Sequence, residues 1–371
     1  MLIAIDSLLL HGQFTGVQHA IKNITSELLA DDEHQYLLVL PSDADPAKLY
    51  PNANYQVLHA PFKGNEKLKR ICWQQFTMPK LLKEKGVDLL FSPGYISSIG
   101  WRGKSAVLIH DTIALSHPEF CSFWNAKSYR MLLPMSARHA DIVITPSLST
   151  ANDVVQFCHV KADKTRVVPL GVNQIEVPAE GDVIQARQRI SPGRPYILAV
   201  SAIEPKKNFD GLIKWFDKWA AEIPHNLVII GKYAWRTQAV KKALKKSKYQ
   251  KRIIMPGYMD QADLPPIYGG ADLFVMPSRY EGFGLPALEA MSAGAATAVS
   301  NAGSLPEIAG DAAAVIPLEG DAWVTAIPAL LKDPAKLETM RASGITRAKE
   351  YTWQKTSEMI LRVFGEIGRM K

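Results

Sequence analysis

The chain has 371 residues, 47% of them hydrophobic, and a formal net charge of +7. At roughly 100–200 residues per domain, that length suggests two domains or one large one. No apolar run approaches the ~20 residues of a membrane span, which excludes a helix-spanning membrane protein, and the positive charge points to nucleic acid, an anionic membrane surface or an acidic substrate.

The opening Met1-Leu2-Ile3-Ala4-Ile5-Asp6 lacks a basic flank and a cleavage site, so it reads as a first strand rather than a signal peptide. After it comes Leu10-His11-Gly12-Gln13-Phe14-Thr15-Gly16-Val17-Gln18, a loop expected to lead into a helix near Val17. A single glycine loop fits a plain turn as well as a ligand loop. Asp43-Ala44-Asp45, in a Pro-flanked loop, reads as a turn or helix cap and not as a seat for a divalent metal. Lys63, Lys67, Lys69 and Arg70 stand beside Trp73 and Phe76, a pattern that fits shallow membrane contact by a basic amphipathic helix. Val107-Leu108-Ile109 runs into His110 and Asp111. A histidine at the end of an apolar run is either a satisfied structural residue or a group aimed at a ligand, and a neighbouring carboxylate can orient it. Cys72, Cys121 and Cys158 lack metal-ligand spacing and are expected to be buried thiols in a reducing cytoplasm.

Short apolar runs alternate with longer amphipathic stretches along the whole chain. In the first half they are Met1–Ile5, Tyr36–Leu40, Leu89–Ser92, Ala106–Ile109 and Ile142–Thr145. In the second they are Tyr196–Val200, Leu227–Ile230, Ile253–Met255, Leu273–Met276 and Ala296–Val299. This spacing indicates βαβ units and a mostly parallel sheet. Between Gly171 and Pro195 the run is broken by Pro178, Gly181, Pro192 and Gly193, so 173–194 is expected to link two domains.

Open α/β sheets bind ligands at the carboxyl ends of their strands, which selects three further segments. Ser201-Ala202-Ile203-Glu204-Pro205-Lys206-Lys207-Asn208 follows one run and offers two ammonium groups. Pro256-Gly257-Tyr258-Met259-Asp260 closes another. Ala271–Pro277 reads as a buried strand ahead of Ser278-Arg279-Tyr280-Glu281-Gly282-Phe283-Gly284-Leu285-Pro286-Ala287-Leu288-Glu289-Ala290. Gly282 and Gly284 keep that loop bare, Pro286 suits a helix start, and the helix N-terminus suits phosphate. The second basic cluster, Lys241 to Arg252, reads as a solvated helix face, and neither cluster carries a nucleic-acid-binding signature. Tyr351–Lys371 has helical spacing.

Glu281 and Glu289, seven residues apart, resemble the paired-glutamate signature of retaining nucleotide-sugar glycosyltransferases of family 4. The resemblance implies the α/β GT-B fold: two doubly wound Rossmann-like domains facing across a cleft, with a C-terminal helix crossing back to the first. The boundaries are then 1–172 for the acceptor side, 173–194 for the linker, 195–350 for the donor-binding domain and 351–371 for the returning helix. It also implies roles. Gly16 would let backbone approach the donor diphosphate, and Lys207, with Lys206 second, would neutralise it. Ser201 or its neighbours stand where many relatives have an arginine. Glu289 would accept from the ribose hydroxyls. Glu281 would lie at the transferred sugar, whose hydroxyls the backbone of Gly282, Phe283, Gly284 and Leu285 would hold. Arg279 would touch phosphate or sugar, Tyr258 would line the nucleobase pocket, and His110 and Asp111 would face the sugar or acceptor. No metal or further cofactor is expected, and front-face attack would give retention.

Glu204–Asn208 and Gly303-Ser304-Leu305-Pro306-Glu307 resemble bacterial mannosyltransferases of surface-polysaccharide assembly. The expected donor is therefore GDP-mannose, with UDP-glucose, UDP-N-acetylglucosamine and dTDP-rhamnose as alternatives. A glycan on a polyprenyl diphosphate is the expected acceptor, met in the cytoplasm or at the inner membrane face. A sugar-nucleotide epimerase and a basic nucleic-acid-binding protein are the rival readings.

Overall fold

The computed structural model describes the chain except Gln13, Thr15, Asn52, Ser122 and Lys371 and, within the helix Phe123–His139, the side chains of 123–126. The chain divides into two compact units, Met1–Gly171 with Trp353–Lys371 and Val172–Thr352.

The first unit is built on seven strands: β1 (Leu2–Asp6), β2 (Gln35–Leu40), β3 (Gln56–His59), β4 (Leu89–Ser92), β5 (Lys104–Leu108), β6 (Ile142–Thr145) and β7 (Thr165–Val167). All pairs are parallel, in the order β3-β2-β1-β4-β5-β6-β7. The second carries six: β8 (Tyr196–Val200), β9 (Asn226–Ile230), β10 (Ile253–Gly257), β11 (Leu273–Met276), β12 (Thr297–Ser300) and β13 (Ala314–Ile316). These are again parallel, in the order β10-β9-β8-β11-β12-β13. Both are doubly wound sheets. Their winding reverses between β1 and β4 and between β8 and β11, and a crevice opens at such a switch point at the carboxyl ends of the strands.

The central strands read as unbroken apolar runs because helices cover both sheet faces. Ile197, Ala199, Leu227 and Ile229 point into one core layer with Phe216 and Trp219, while Tyr196, Leu198, Val228 and Phe274 point into the other with Tyr268 and Ala287. The last helix, Trp353–Arg369, belongs to the first unit. It buries Ile360, Val363, Phe364 and Ile367, sets Phe364 edge-on to Phe91 at 5.3 Å and pairs Glu366 with Arg166.

Three expectations change. Residues 173–194 are not bare linker: they hold a helix, Glu180–Ile190, that buries Ala186 and Ile190 and ties Arg187 to Asp272 at 2.6 Å. Cys121 and Cys158 are buried, but Cys72 is exposed, because the helix Lys67–Phe76 turns Trp73 and Gln74 inward instead. Trp73, expected at a membrane-facing surface, packs edge-on against Phe62 at 5.8 Å in the core. Asp45 caps the helix Pro46–Leu49 by accepting from Ala47 N and Lys48 N, as a turn-forming Asp does. Among the described residues no helix is long and apolar enough to cross a membrane.

Candidate functional site

In the second unit, the chemistry gathers at the switch point between β8 and β11. β8 ends at Val200, and the segment after it winds a single 3-10 turn, Pro205–Lys207, closed by Asn208 at a left-handed φ of 59°. The turn drives Lys207 inward, to 8% exposure. Its ammonium meets Glu281 Oε1 at 2.5 Å, and the same oxygen accepts from the Ser278 hydroxyl at 2.7 Å. Burial pushes the Glu281 carboxyl up, but the charges of Lys207 and Lys206 and the Ser278 hydroxyl more than offset it, so the carboxyl lies below the usual range. Glu281 is therefore a carboxylate at neutral pH, held by a buried cation.

The loop after β11 is laced to the loop after β8. Arg279 N donates to Lys206 O, its guanidinium donates to Pro205 O at 2.6 Å, and it pairs with Asp210 at 3.1 Å. The structure thus places Arg279 as a brace between the two loops. Behind Glu281, the turn 302–305 closes tightly. Gly303 has φ 57°, and a Cβ there would stand 2.2 Å from Glu281 O. Ser304 donates its N–H to Glu281 O at 3.1 Å and its hydroxyl to Phe283 O at 2.7 Å. Only glycine fits position 303.

Gly284, at φ 117°, opens the helix Leu285–Ser292, with Pro286 in its first turn. One turn on, Glu289 accepts from the Tyr268 hydroxyl at 3.0 Å and the Gln261 amide at 3.4 Å. Burial raises its carboxyl above the usual range, and those two hydrogen bonds only partly oppose it. Glu289, Tyr268 and Gln261 form part of the wall of a cavity of about 460 Å³, completed by Leu264 and by Asn173 and Glu176. The two glutamates are thus driven in opposite directions. Tyr258, 44% exposed, follows β10, and Lys206 lies 3.8 Å from Glu204.

The first unit carries the rest. His110, 6% exposed, follows β5, and its Nε2 lies 2.8 Å from Pro93 O. A carbonyl only accepts, so Nε2 bears the hydrogen and Nδ1 is the acceptor nitrogen. Burial lowers the imidazole below its ordinary value, more than the Pro93 carbonyl and Asp111 raise it; the ring is neutral at pH 7. Asp111 accepts from Tyr95 Oη at 3.1 Å and from Ile113 N at 3.2 Å. Tyr95 itself is held at φ 72°, an unusual backbone state for a bulky residue. Asp6, at the end of β1, is buried, which pushes its carboxyl up to about 6 against hydrogen bonds from Gln74 and Leu8 N and the charge of Arg70. Gly16 starts the helix Gly16–Leu28, and a Cβ there would meet nothing within 4 Å; its loop neighbours Gln13 and Thr15 lie outside the described residues.

Sequence reasoning missed Ser278, Gly303 and Ser304 as supports of Glu281, and Tyr268 and Gln261 as partners of Glu289. Gly303 and Ser304 lie in a loop already noted for its resemblance, and that loop was the available signal. Nothing in the sequence ties Tyr268 or Gln261 to Glu289. A group of metal-ligating type, Asp31, Glu33 and His34, precedes β2 at the amino end of the sheet, apart from these residues.

The family described as Glycosyltransferase Family 4 matches residues 14–174, and that described as Glycosyl transferases group 1 matches residues 182–347. The chain is 28% identical to O-antigen chain mannosyltransferase B of Escherichia coli over 70% of each. It is 27% identical to the serotype-specific mannosyltransferase WbdA of Escherichia coli over 71% of the chain but only 34% of that relative, so it spans about a third of WbdA. Among solved structures, sucrose-phosphate synthase from Thermosynechococcus elongatus shares the fold with a TM-score of 0.79, at 19% identity over 99% of this chain and 98% of that one. Anabaena HepE in complex with UDP and glucose does so with a TM-score of 0.77, at 18% identity over 99% of this chain and 100% of that one.

Proposed function

We propose, for a chain that is a family 4-like glycosyltransferase of the GT-B fold, transfer of mannose from GDP-mannose, with retention, to a glycan on a polyprenyl diphosphate. The single observation that carries the transfer chemistry is the buried Lys207–Glu281–Ser278 cluster beside the start of the helix Leu285–Ser292. As the bond from sugar C1 to phosphate oxygen breaks, negative charge grows on the leaving diphosphate. A fixed ammonium and a helix N-terminus stabilise that charge more in the transition state than in the ground state. The acceptor oxygen attacks C1 from the same face and its proton passes to the departing phosphate oxygen. That sequence needs no protein base. Glu289 accepts from the two ribose hydroxyls, Glu281 from the transferred sugar, and Nδ1 of His110 accepts from a hydroxyl of sugar or acceptor. Lys207 and the helix dipole supply the neutralisation that a divalent metal supplies in other transferases.

The choice of mannose is supported by relatives named as mannosyltransferases, among them O-antigen chain mannosyltransferase B and WbdA. A thermal-shift titration with GDP, GDP-mannose, UDP, UDP-glucose, dTDP and their nucleosides, with and without EDTA, tests the reading. A ligand that binds only the folded state raises apparent stability by a predictable amount. Selective stabilisation by GDP and GDP-mannose, unchanged by EDTA, is the expected result. A response to UDP alone would replace the donor, and no response to any nucleotide would overturn the reading.

A further inference from the structure

The basic run at 63–70 divides in two. Lys69 faces outward and pairs with Glu66, whereas Lys67 and Arg70 turn toward the carboxyl end of the first sheet. Lys67 donates to Ser128 Oγ at 3.0 Å and lies 5.6 Å from the centre of the Tyr129 ring. Arg70 donates to Gly64 O at 2.9 Å, and Gly64 is pressed so close to His11 in the loop after β1 that a Cβ would stand 2.4 Å from its ring. Among the described residues Arg70 makes no ion pair. The acid nearest in charge is Asp6, whose carboxyl is itself pushed up to about 6 by burial and is held by the Gln74 amide.

Burial, and then the charge of Arg70, lower the Lys67 ammonium, and the same two causes lower His11. Lys67 and Arg70 therefore crowd a half-buried place and repel one another, with the His11 ring, kept neutral by the same causes, beside them. Two acids oppose this only in part: Asp6 acts on Arg70, and Asp43, which accepts from Gly64 N at 2.8 Å, acts on His11. Desolvated like charges cost free energy that an anion recovers. The arrangement also leads somewhere. Tyr129 contacts Tyr95 edge-on at 5.6 Å, and Tyr95 contacts His110 edge-on at 5.2 Å while donating to Asp111. Two ring-to-ring steps connect the cations to the histidine.

We propose that Lys67 and Arg70 form a subsite for a phosphate-class group carried by the acceptor, which fixes the acceptor's reactive hydroxyl near His110. Arg70 presents a planar fork suited to phosphate oxygens, and Lys67 adds a point charge. Only the assignment to the acceptor rests on the transferase reading; the anion subsite stands on the geometry of the first unit.

Full-length protein is titrated with inorganic pyrophosphate, followed by calorimetry, in Lys207→Gln and in Lys207→Gln/Arg70→Gln. The first substitution silences the donor side, so what remains reports the subsite. The expected result is residual binding in Lys207→Gln that weakens about tenfold to a hundredfold on adding Arg70→Gln and is partly restored by Arg70→Lys. Absent residual binding, or binding equal in the two proteins, overturns the proposal. GDP binding to the single variant Arg70→Gln, measured alongside, shows that the protein is folded. Loss of GDP binding in the wild type would instead sink the donor reading. Glucose 1-phosphate in solution and phosphatidic acid in phosphatidylcholine vesicles form two further arms. Whichever loses affinity in Arg70→Gln tells whether the phosphate belongs to a soluble sugar or to a lipid, and loss in neither overturns the proposal.

Discussion

Removing either partner of the Lys207–Glu281 pair leaves the other charge buried, because the two residues are only 8% and 6% exposed. Breaking such a pair costs about 3–5 kcal/mol. Lys207→Ala is accordingly expected to destabilise the second unit by about that amount in urea titration. It should also slow nucleotide release from the sugar nucleotide by about 10²–10³-fold, the scale seen when one stabiliser of developing charge is lost. Glu289 behaves differently. Burial raises its carboxyl, and Tyr268 and Gln261 lower it; the ribose contact proposed for it uses the ionised form. As pH falls through that raised value the carboxylate takes up a proton and stops accepting. Tyr268→Phe removes a hydrogen bond that favours the ionised form, so the acid limb of GDP binding should move to higher pH, read by titrating affinity against pH. An unchanged limb would mean that Tyr268 only packs.

Elements explain which of these residues were legible in advance. The carboxyl-end rule selected His110, Lys207 and Glu281 because each lies in the segment that follows an apolar run, and those runs overlap the strands. Glu289 was legible through its spacing from Glu281. Tyr268 and Ser304 were not, since they reach the site from a neighbouring helix and a later loop, and local pattern carries no information on such long-range contacts. Trp73 was misplaced for a related reason. The helix Lys67–Phe76 carries its cations, Lys67, Lys69 and Arg70, in its first turn, and only packing against Phe62 decides which side turns inward. Its outward side carries Leu68 and Phe76 at 80% and 73% exposure, beside Lys69. Leu68→Ser/Phe76→Ser should therefore weaken binding to phosphatidylglycerol vesicles in a sedimentation assay while leaving GDP binding intact. Equal binding would rule out membrane contact through this side of the helix. The turn behind Glu281 makes a sharper case. Gly303→Ala combines a left-handed φ with a Cβ inside van der Waals contact of Glu281 O, a strain of about 1–3 kcal/mol. It should lower both urea stability and GDP affinity, since the carbonyl that must move belongs to Glu281 itself.

At the scale of the molecule, the chain passes from the first unit to the second and back, so the last helix stabilises a unit whose other residues end at Gly171. Of the residues expected at the donor, Lys207, Glu281, Glu289 and the loop between them lie within Val172–Thr352, whereas Gly16 lies in the first unit. Ile360, Val363, Phe364 and Ile367 are at most 4% exposed in the first unit. Burying side chains of this size contributes about 1.5–3 kcal/mol each, so together they approach the ~5–15 kcal/mol that separates a folded domain from its unfolded state. Ending the chain at Thr352 should therefore unfold the first unit and spare the second. Hydrogen exchange would show β1, β4 and β5 losing protection while β8 and β11 keep theirs. GDP would still raise the melting temperature of what remains, because Lys207, Glu281 and Glu289 stay in place. If GDP binding vanished with the helix, the donor site would depend on the first unit, and the division of labour argued from the two sheets would fail.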